Sequence, residues 1–507
     1  MQNIFLAIIF AFLFNACASM GDIEKLDNLY FQNNDISTSY NYSLKYSDDD
    51  FLWAFQSGIL GLQNNDLSQS IELLDKSEAF FESVNAQNGF NIALKTLASI
   101  LVSNGMFEYS GNLYEAVFIN HYKALAYIML EDYAKARVEF NRANDRQRRS
   151  RDFFANKIDE INTTIQQNKT EYSNKVSDLN MSALSSTADS IIMQHYSNLD
   201  RFRAYDGYVN PFIAYVSGIF FLTQNDFDKA NDLLKQAYAI SQKSEIIEDL
   251  EILESRKNRS SGDKNNTQSY TWILLEDGRI PKKDEISIDL PLFFLNKNTL
   301  FFNIALPKLD GGKVFHNNYF IESKKYANLM QNVESRVESS TYSHSTQNIQ
   351  SSAESNIETS TYFYTHSKAQ FNGFEINNLE SIISNEFSIE LPYIVLTSII
   401  SSSYKAYLQN LLGEKLGILG SIGGAIFSKA TSNADTRSSR ILPLRFIIFR
   451  IKNQKNDFSI YGDNKLIYNF SLNEACNHLC LNTDNIIYLR ILQNNTISLT
   501  HSIRRKK

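Results

Sequence analysis

Asp435 and Arg437, separated only by Thr436, form the one polar cluster in this sequence whose residue types could carry out catalysis. A carboxylate can serve as a general base, and a neighbouring guanidinium can bind an anionic substrate through two hydrogen bonds. The cluster lies between a glycine-rich helical segment and a predicted strand. A salt bridge that fixes a domain junction is therefore the favoured interpretation, and a carboxylate-plus-arginine active site is the alternative.

The other residues that could do chemistry form weaker patterns. The seven histidines are scattered, and the sequence contains no HExxH, GxSxG or P-loop motif. Cys476, His478 and Cys480 are soft metal ligands at alternate positions, but a closed zinc site needs a fourth ligand and none is nearby. Two thiols near a turn, with or without a disulfide between them, are the favoured interpretation. We therefore predict no enzyme activity, no metal site and no cofactor.

The N-terminus predicts export and lipid attachment. Residues 4–14 form an apolar run of signal-peptide length that is too short to span a bilayer. Ala16 and Cys17 follow, and a small residue before a cysteine at this place resembles a lipobox, in which the cysteine is acylated. A phenylalanine stands where leucine is usual, and no basic residue precedes the apolar run, so a short uncleaved anchor is the alternative. We predict a signal peptide over 1–16 and a lipid-anchor tether over 17–45.

A repeated pattern occupies the first half of the chain. Residues 57–74 reappear as 217–234, and a third copy, ALAYIMLEDYAKARVEFNRA, begins at position 124. Each copy has a small residue in mid-helix, an Asn-Asp or Glu-Asp turn, and a second helix with its own small residue. This pattern resembles the tetratricopeptide motif, in which small residues let two helices approach closely. The predicted packing residues are Gly58, Ala124, Ala136, Gly218 and Ala230, and a partner would bind on the concave face of the hairpins.

A basic stripe follows the third copy. Arg142, Arg146 and Arg149 lie at helical spacing and would share one helix face. They form a possible patch for an anionic partner such as lipid headgroups or an anionic polymer. A solvated face, or pairing with acidic neighbours such as Asp159 and Glu160, is the favoured alternative. The net charge of −7 gives no electrostatic footprint for nucleic acid.

The composition changes after residue 255. A polar linker over 256–269 leads into β-like runs bounded by Asn, Asp and Gly turns. Residues 331–367 are a low-complexity segment rich in Ser, Thr and Glu. Residues 379–432 turn helical again and contain glycines from Gly413 to Gly424, whose spacing lets helices pack closely. A helical hairpin is favoured there, and self-association or membrane insertion is the alternative. The predicted strands are 270–275, 286–294, 299–306, 441–452, 458–460, 465–470, 486–492 and 496–501.

Taken together, the chain resembles a family of bacterial lipoproteins with a tetratricopeptide-like first half. The resemblance spans nearly all of the mature chain and implies an outer-membrane lipoprotein that works near other envelope lipoproteins. It implies no catalytic residues. An aromatic residue is expected after Ser438 and is absent. The matching segments are YSLKYSDDDFLWAFQSG (42–58), HYKALAYIMLEDYAKARVEFNRANDRQ (121–147), YVNPFIAYVSGIFFL (208–222), WILLEDGRIPKKDEISIDLPLF (272–293), ALPKL (305–309) and ADTRSSRILP (434–443).

These observations predict an α+β multidomain protein. A tetratricopeptide-like helical domain over 46–255 folds on its own, and a mainly β, sandwich-like domain over 270–507 carries the helical insertion. We predict a periplasm-facing scaffold or assembly factor, anchored to the outer membrane through Cys17, that binds other envelope proteins through the helical domain. One alternative is a structural subunit of an envelope or secretion assembly that self-associates through the Gly413–Gly424 helix. The other is an enzyme with a site around Asp435 and Arg437.

Overall fold

The chain folds into a mixture of helices and strands, which confirms the α+β class. The computed structural model describes residues 18–83, 109, 111–175, 181–202, 210–258, 268–293, 299–323, 370–430, 433–474 and 479–503. The helices are α1 (Ala18–Asp27), α2 (Ile36–Leu44), α3 (Phe51–Gln63), α4 (67–83), α5 (Leu113–Met129), α6 (Tyr133–Lys175), α7 (Met181–His195), α8 (Pro211–Thr223), α9 (Phe227–Ser241), α10 (Glu245–Lys257) and α11 (Leu379–Ala430). The strands are β1 (Tyr270–Asp277), β2 (Lys282–Phe293), β3 (Thr299–Asp310), β4 (Tyr319–Ser323), β5 (Gln370–Asn372), β6 (Phe374–Asn378), β7 (Arg445–Lys452), β8 (Asn456–Gly462), β9 (Lys465–Leu472), β10 (Asp484–Ile491) and β11 (Thr496–Ile503). The predicted signal peptide, Cys17 and the whole low-complexity segment 331–367 lie outside the described residues.

Three helical hairpins, α3–α4, α5–α6 and α8–α9, turn in the same way. In each turn one residue adopts a left-handed backbone, with φ of 61° at Asn65, 60° at Glu131 and 62° at Asn225. The amide of the following Asp then donates to a carbonyl five residues back, at 2.8–2.9 Å. Asparagine tolerates this conformation better than most residues, and the hydrogen bond satisfies a carbonyl that a helix end leaves without a partner.

Glycines mark the point where the two helices of a hairpin cross. A Cβ atom placed on Gly58 would lie 2.6 Å from Leu74 Cγ, and one on Gly218 would lie 2.9 Å from Leu234 Cγ. Both positions are also within 3.3 Å of the leucine backbone nitrogen. The first and third hairpins therefore have the same register, with backbones too close for any side chain at the glycine. In the second hairpin the fully buried Ala124 occupies the position of these glycines, and Ala136 and Ala230 are fully buried small residues of the second helices.

Two sheets stack behind the helical hairpins. The five-stranded sheet has the order β11-β10-β1-β7-β6, in which only β1 and β10 are parallel. One of its faces shares a buried apolar cluster with the four-stranded sheet β5-β4-β8-β9, and residues such as Ile273, Phe449 and Ile460 belong to it. Its other face, including Trp272 and Phe446, joins the core of the helical hairpins. The core is thus continuous from the helical half into the β half.

The five-stranded sheet packs against the inner helices of the hairpins. Every residue of α3 and α8 is buried. Phe212 of α8 stacks on Phe446 of β7 with ring centroids 4.0 Å apart, and Phe118 of α5 stacks on the same ring. A helix that is apolar on all sides must be covered on all sides. Here the five-stranded sheet of the same chain provides part of that cover.

A second apolar cluster joins α7 and α11 to the β2–β3 ribbon. Helix α11 is a single helix of 52 residues with Pro392 inside it, and it packs on α7 and β3. The expected helical hairpin over 379–432 is therefore wrong. Isolated glycines cost a helix only about 1 kcal/mol each, which neighbouring turns can offset. None of the helices in the described part of the chain is long and apolar enough to cross a membrane.

The predicted tether and the first residues of the predicted linker are packed into the body. The proposed tether 17–45 contains α1 and α2, and its Leu26 and Tyr30 are fully buried in the main core. The proposed linker 256–269 begins inside α10, where Arg256 forms two hydrogen bonds of 2.9 Å with the buried carboxylate of Asp484. Both differences have the same cause. Apolar or charged side chains within these polar stretches pack against, or pair with, residues that are distant in sequence.

Candidate functional site

The segment 434–444, which contains the ADTRSSRILP sequence, is irregular in structure and almost completely buried. Buried backbone N–H groups outside helices and sheets need other acceptors. Here side chains from distant elements provide them: the amide of Ser439 donates to Glu115 at 2.7 Å, and that of Arg440 donates to Gln56 at 2.8 Å. This junction segment, as we call residues 434–444, is therefore fixed by α5 and α3 of the helical half.

Asp435 and Arg437 bind one another within the junction segment. The guanidinium donates two hydrogen bonds of 2.9 Å to the two carboxylate oxygens and also lies over the ring of Tyr109. Burial opposes ionisation of Asp435, but the hydrogen bonds and charge of Arg437 outweigh it and lower its pKa. A carboxylate held in this way is a weak proton acceptor with both oxygens engaged. The geometry matches the salt-bridge interpretation of this pair.

Two buried carboxylates meet at the start of α5: that of Glu115, from α5 itself, and that of Glu386, from α11. Glu115 accepts hydrogen bonds from the hydroxyl of Tyr109 at 2.8 Å and from the amide of Asn112 at 2.7 Å. Glu386 of α11 accepts the amide of Leu113 at 2.9 Å, so α11 caps a helix of the hairpin layer. Burial raises the pKa of Glu115. Together the two carboxylates tie α5, α11 and the junction segment to one another.

Glu276, near the end of β1, connects the helical layer to the sheet. Its carboxylate accepts hydrogen bonds from Tyr122 of α5 at 3.0 Å and from Tyr488 of β10 at 2.7 Å. Burial raises its pKa to about 7, against the opposing charge of Arg490. Arg490 is itself fully buried and donates to the carbonyl of Gly278 at 2.7 Å. The ring of Tyr30, from the N-terminal segment, lies beside the same guanidinium.

Asp249 of α10 makes a similar connection at the other end of the sheet. Its carboxylate accepts from Tyr215 of α8 at 2.8 Å and from the indole of Trp272 at 3.0 Å, and it forms an ion pair with Arg450 at 2.9 Å. Burial raises the pKa of Asp249, although the charge of Arg450 opposes the rise. Each of these contacts joins elements that are remote in sequence.

The arginine stripe does not form a free basic patch. Arg146 is largely buried: it donates to Glu78 of α4 at 2.8 Å and to the carbonyl of Ala116 at 2.9 Å. Arg142 pairs with Glu139 at 2.9 Å, and Arg149 pairs with Asp145. The observed acidic partners are Glu78, Glu139 and Asp145, and not Asp159 and Glu160, which were the partners suggested by the sequence. Ion pairing within the hairpins leaves little positive charge for an anionic partner.

The remaining candidates lie mostly outside the described residues. Cys480 is disulfide-bonded, and its possible partners Cys17 and Cys476 are not described. His478 and the side chains from Gly413 to Gly424 are also outside. Where the structure describes the chain, no group of three His, Cys, Asp or Glu side chains is placed to hold a metal ion.

Sequence reasoning missed the buried carboxylates. A visible signal existed in β10, where Arg490 interrupts an apolar strand, and in β1, where Glu276 ends one. The pairing between them is long-range and could not be read from spacing. Comparison with known protein families finds no match, and no curated protein matches the chain.

Proposed function

We propose that this chain is a lipid-anchored scaffold or assembly factor of the bacterial cell envelope, tethered through acylated Cys17. In this proposal the helical hairpins are tetratricopeptide-like and the two stacked sheets form a sandwich-like module. The observation that supports it most is the use of the reactive side chains: the buried carboxylates Glu276 and Asp249 hold separate layers together, and Asp435 and Arg437 bind one another within the junction segment. Such contacts favour a rigid body that presents fixed surfaces.

The outer helices of the hairpins, α4 and α9, are the proposed partner surface. The inner helices α3 and α8 are covered by the sheet. On the outer helices, polar residues such as Glu72 and Lys235 face solvent. Envelope proteins would therefore bind the convex side of the hairpins, in contrast to the concave binding that the repeat alone predicts.

Site-specific photocrosslinking in cells tests this surface. A photoreactive residue at position 72 or 235 should give the same discrete crosslinked partner. The matched control is position 465 on the four-stranded sheet, which is also exposed and should give no such product. Crosslinks of equal strength from all three positions, or from position 465 alone, would contradict the proposed surface.

A second experiment separates the scaffold from the enzyme. Asp435→Asn removes a charge from the junction pair, and Asp189→Asn makes the same change at an exposed position of α7. In a scaffold, the cellular phenotype of Asp435→Asn should fall in proportion to the folded, membrane-bound protein, and Asp189→Asn should behave as the wild type. An Asp435→Asn protein that folds, localises and binds partners normally but loses the phenotype would establish the enzyme alternative.

A further inference from the structure

A polar cleft opens where the ends of the two sheets meet, and it is lined by Arg445 but by no residue of the junction segment itself. Its volume is ≈ 590 Å³, which is within the range of small-ligand sites. The loop before β4, the crossing from β5 to β6 at Gly373, and the β8–β9 turn surround it. A Cβ atom at Gly373 would lie 2.5 Å from Ile447 Cγ2, so the backbone of Gly373 packs directly on that side chain at the cleft floor.

Three asparagine side chains on the rim have no hydrogen-bond partner within the described residues: Asn318, Asn372 and Asn464. The backbone that carries two of them is nevertheless fixed. The carboxylate of Asp463 accepts the amides of Asn317 and Asn318 at 2.9–3.0 Å. Asp463 and Asn464 form a tight turn with positive φ of 48° and 68°. The three side chains are exposed, so their carboxamides are open to a ligand, and the fixed backbone beneath Asn318 and Asn464 limits how far those two can move.

The floor and wall of the cleft limit the charge of that ligand. Arg445 is held at the floor by Asp277 at 2.9 Å and Glu375 at 3.2 Å, so its charge is already balanced. Because Asp463 adds a further carboxylate, the cleft disfavours anions. Phe320, stacked on Tyr461 with centroids 5.2 Å apart, supplies an apolar wall.

We infer that this cleft binds a neutral saccharide. Each carboxamide offers both a donor and an acceptor, which is what neighbouring sugar hydroxyls require. Glu375 can accept further hydroxyls, and an aromatic wall suits the C–H face of a pyranose ring. The inference is independent of the scaffold function, because any rigid body could carry such a site.

Binding of uncharged oligosaccharides to the full mature chain in detergent tests the inference. Tri-N-acetylchitotriose and maltotriose are the probes, measured by saturation-transfer NMR and calorimetry. We expect binding of at least one of them, and Asn464→Ala or Asn318→Ala should weaken it about tenfold, as loss of roughly 1.4 kcal/mol would. Asn303→Ala, on the exposed β2–β3 ribbon, is the matched control and should bind like the wild type.

Three results would overturn the inference. They are no binding of either sugar at millimolar concentration, equal weakening by Asn303→Ala, and tighter binding of inorganic phosphate or of an unstructured control peptide than of either sugar. Circular dichroism and thermal unfolding of each variant confirm that the comparison is made between folded proteins.

Discussion

Glu276→Gln should change how the stability of this protein depends on pH. The carboxyl group is fully buried, and burial raises its pKa from an ordinary value of 4.5 to about 7. Below pH 4.5 both the folded and the unfolded chain hold the proton, so the group does not affect stability. Between pH 4.5 and 7 the unfolded chain ionises while the folded chain keeps its proton. Folding therefore loses free energy as the pH rises through this window, and the loss is complete above it.

The size of the effect follows from the two pKa values. The full difference corresponds to about 3 kcal/mol, of which roughly 2.5 kcal/mol falls between pH 5 and pH 8. Glutamine has nearly the same shape but does not ionise. The free energy of unfolding of Glu276→Gln, relative to the wild type, should thus rise by about 2.5 kcal/mol from pH 5 to pH 8. All other titrating groups cancel in this comparison.

Urea unfolding of the mature chain, followed by circular dichroism at both pH values, measures the difference. Tyr488→Phe removes a hydroxyl that donates to the carboxylate at 2.7 Å, so the wild-type pH dependence should become steeper in that variant. Glu251→Gln, at an exposed position of α10, is the control for the chemical change itself. A constant offset between Glu276→Gln and the wild type at pH 5 and pH 8 would refute the reasoning.

Three further predictions follow from the described contacts. Gly218→Ala should lower the free energy of unfolding by about 1–3 kcal/mol because the new methyl would overlap Leu234; unchanged urea midpoints would disprove the close crossing. Arg146→Ala should destabilise the protein by roughly 1.5–3 kcal/mol because it removes the charged hydrogen bonds of a largely buried guanidinium to Glu78 and to the carbonyl of Ala116, whereas Arg142→Ala, at a 56% exposed side chain, should cost less than about 0.5 kcal/mol. Mass spectrometry of the mature N-terminus should show a diacylated or triacylated Cys17, and an intact Met1 terminus would exclude lipidation.

The local parts of this fold could be predicted from the sequence. The strand positions were set by apolar runs between turn residues, as in β9, where the predicted 465–470 corresponds to Lys465–Leu472. The pairing of Gly218 with Leu234 spans only one hairpin, so a repeated sequence pattern reveals it. Both signals are carried by residues close in sequence, where spacing determines geometry.

The assembly of the layers could not be predicted in the same way. Nothing in the spacing of α8 indicates that its apolar surface meets Phe446 of its own chain, since any apolar surface would cover it equally well. Likewise, Glu276 is joined to Tyr122 and Tyr488, which are far away on either side in sequence. A fully apolar helix indicates that some surface must cover it, and a charged residue within an apolar strand indicates that it needs a partner. Neither identifies the element that provides it.

The compact N-terminal segment has a mechanical consequence for a protein attached to a membrane at Cys17. Helix α1 starts at the next residue, and Ile23 is already part of the main core. The six residues from Ala18 to Ile23, in helical conformation, leave only about 10 Å between the acyl chains and the folded body. If Cys17 is acylated as proposed, the molecule would sit at headgroup height with little freedom to tilt or to move away from the bilayer. In that case its partners would be recruited at the bilayer surface, and a flexible spacer inserted after Cys17 would extend its reach into the periplasm.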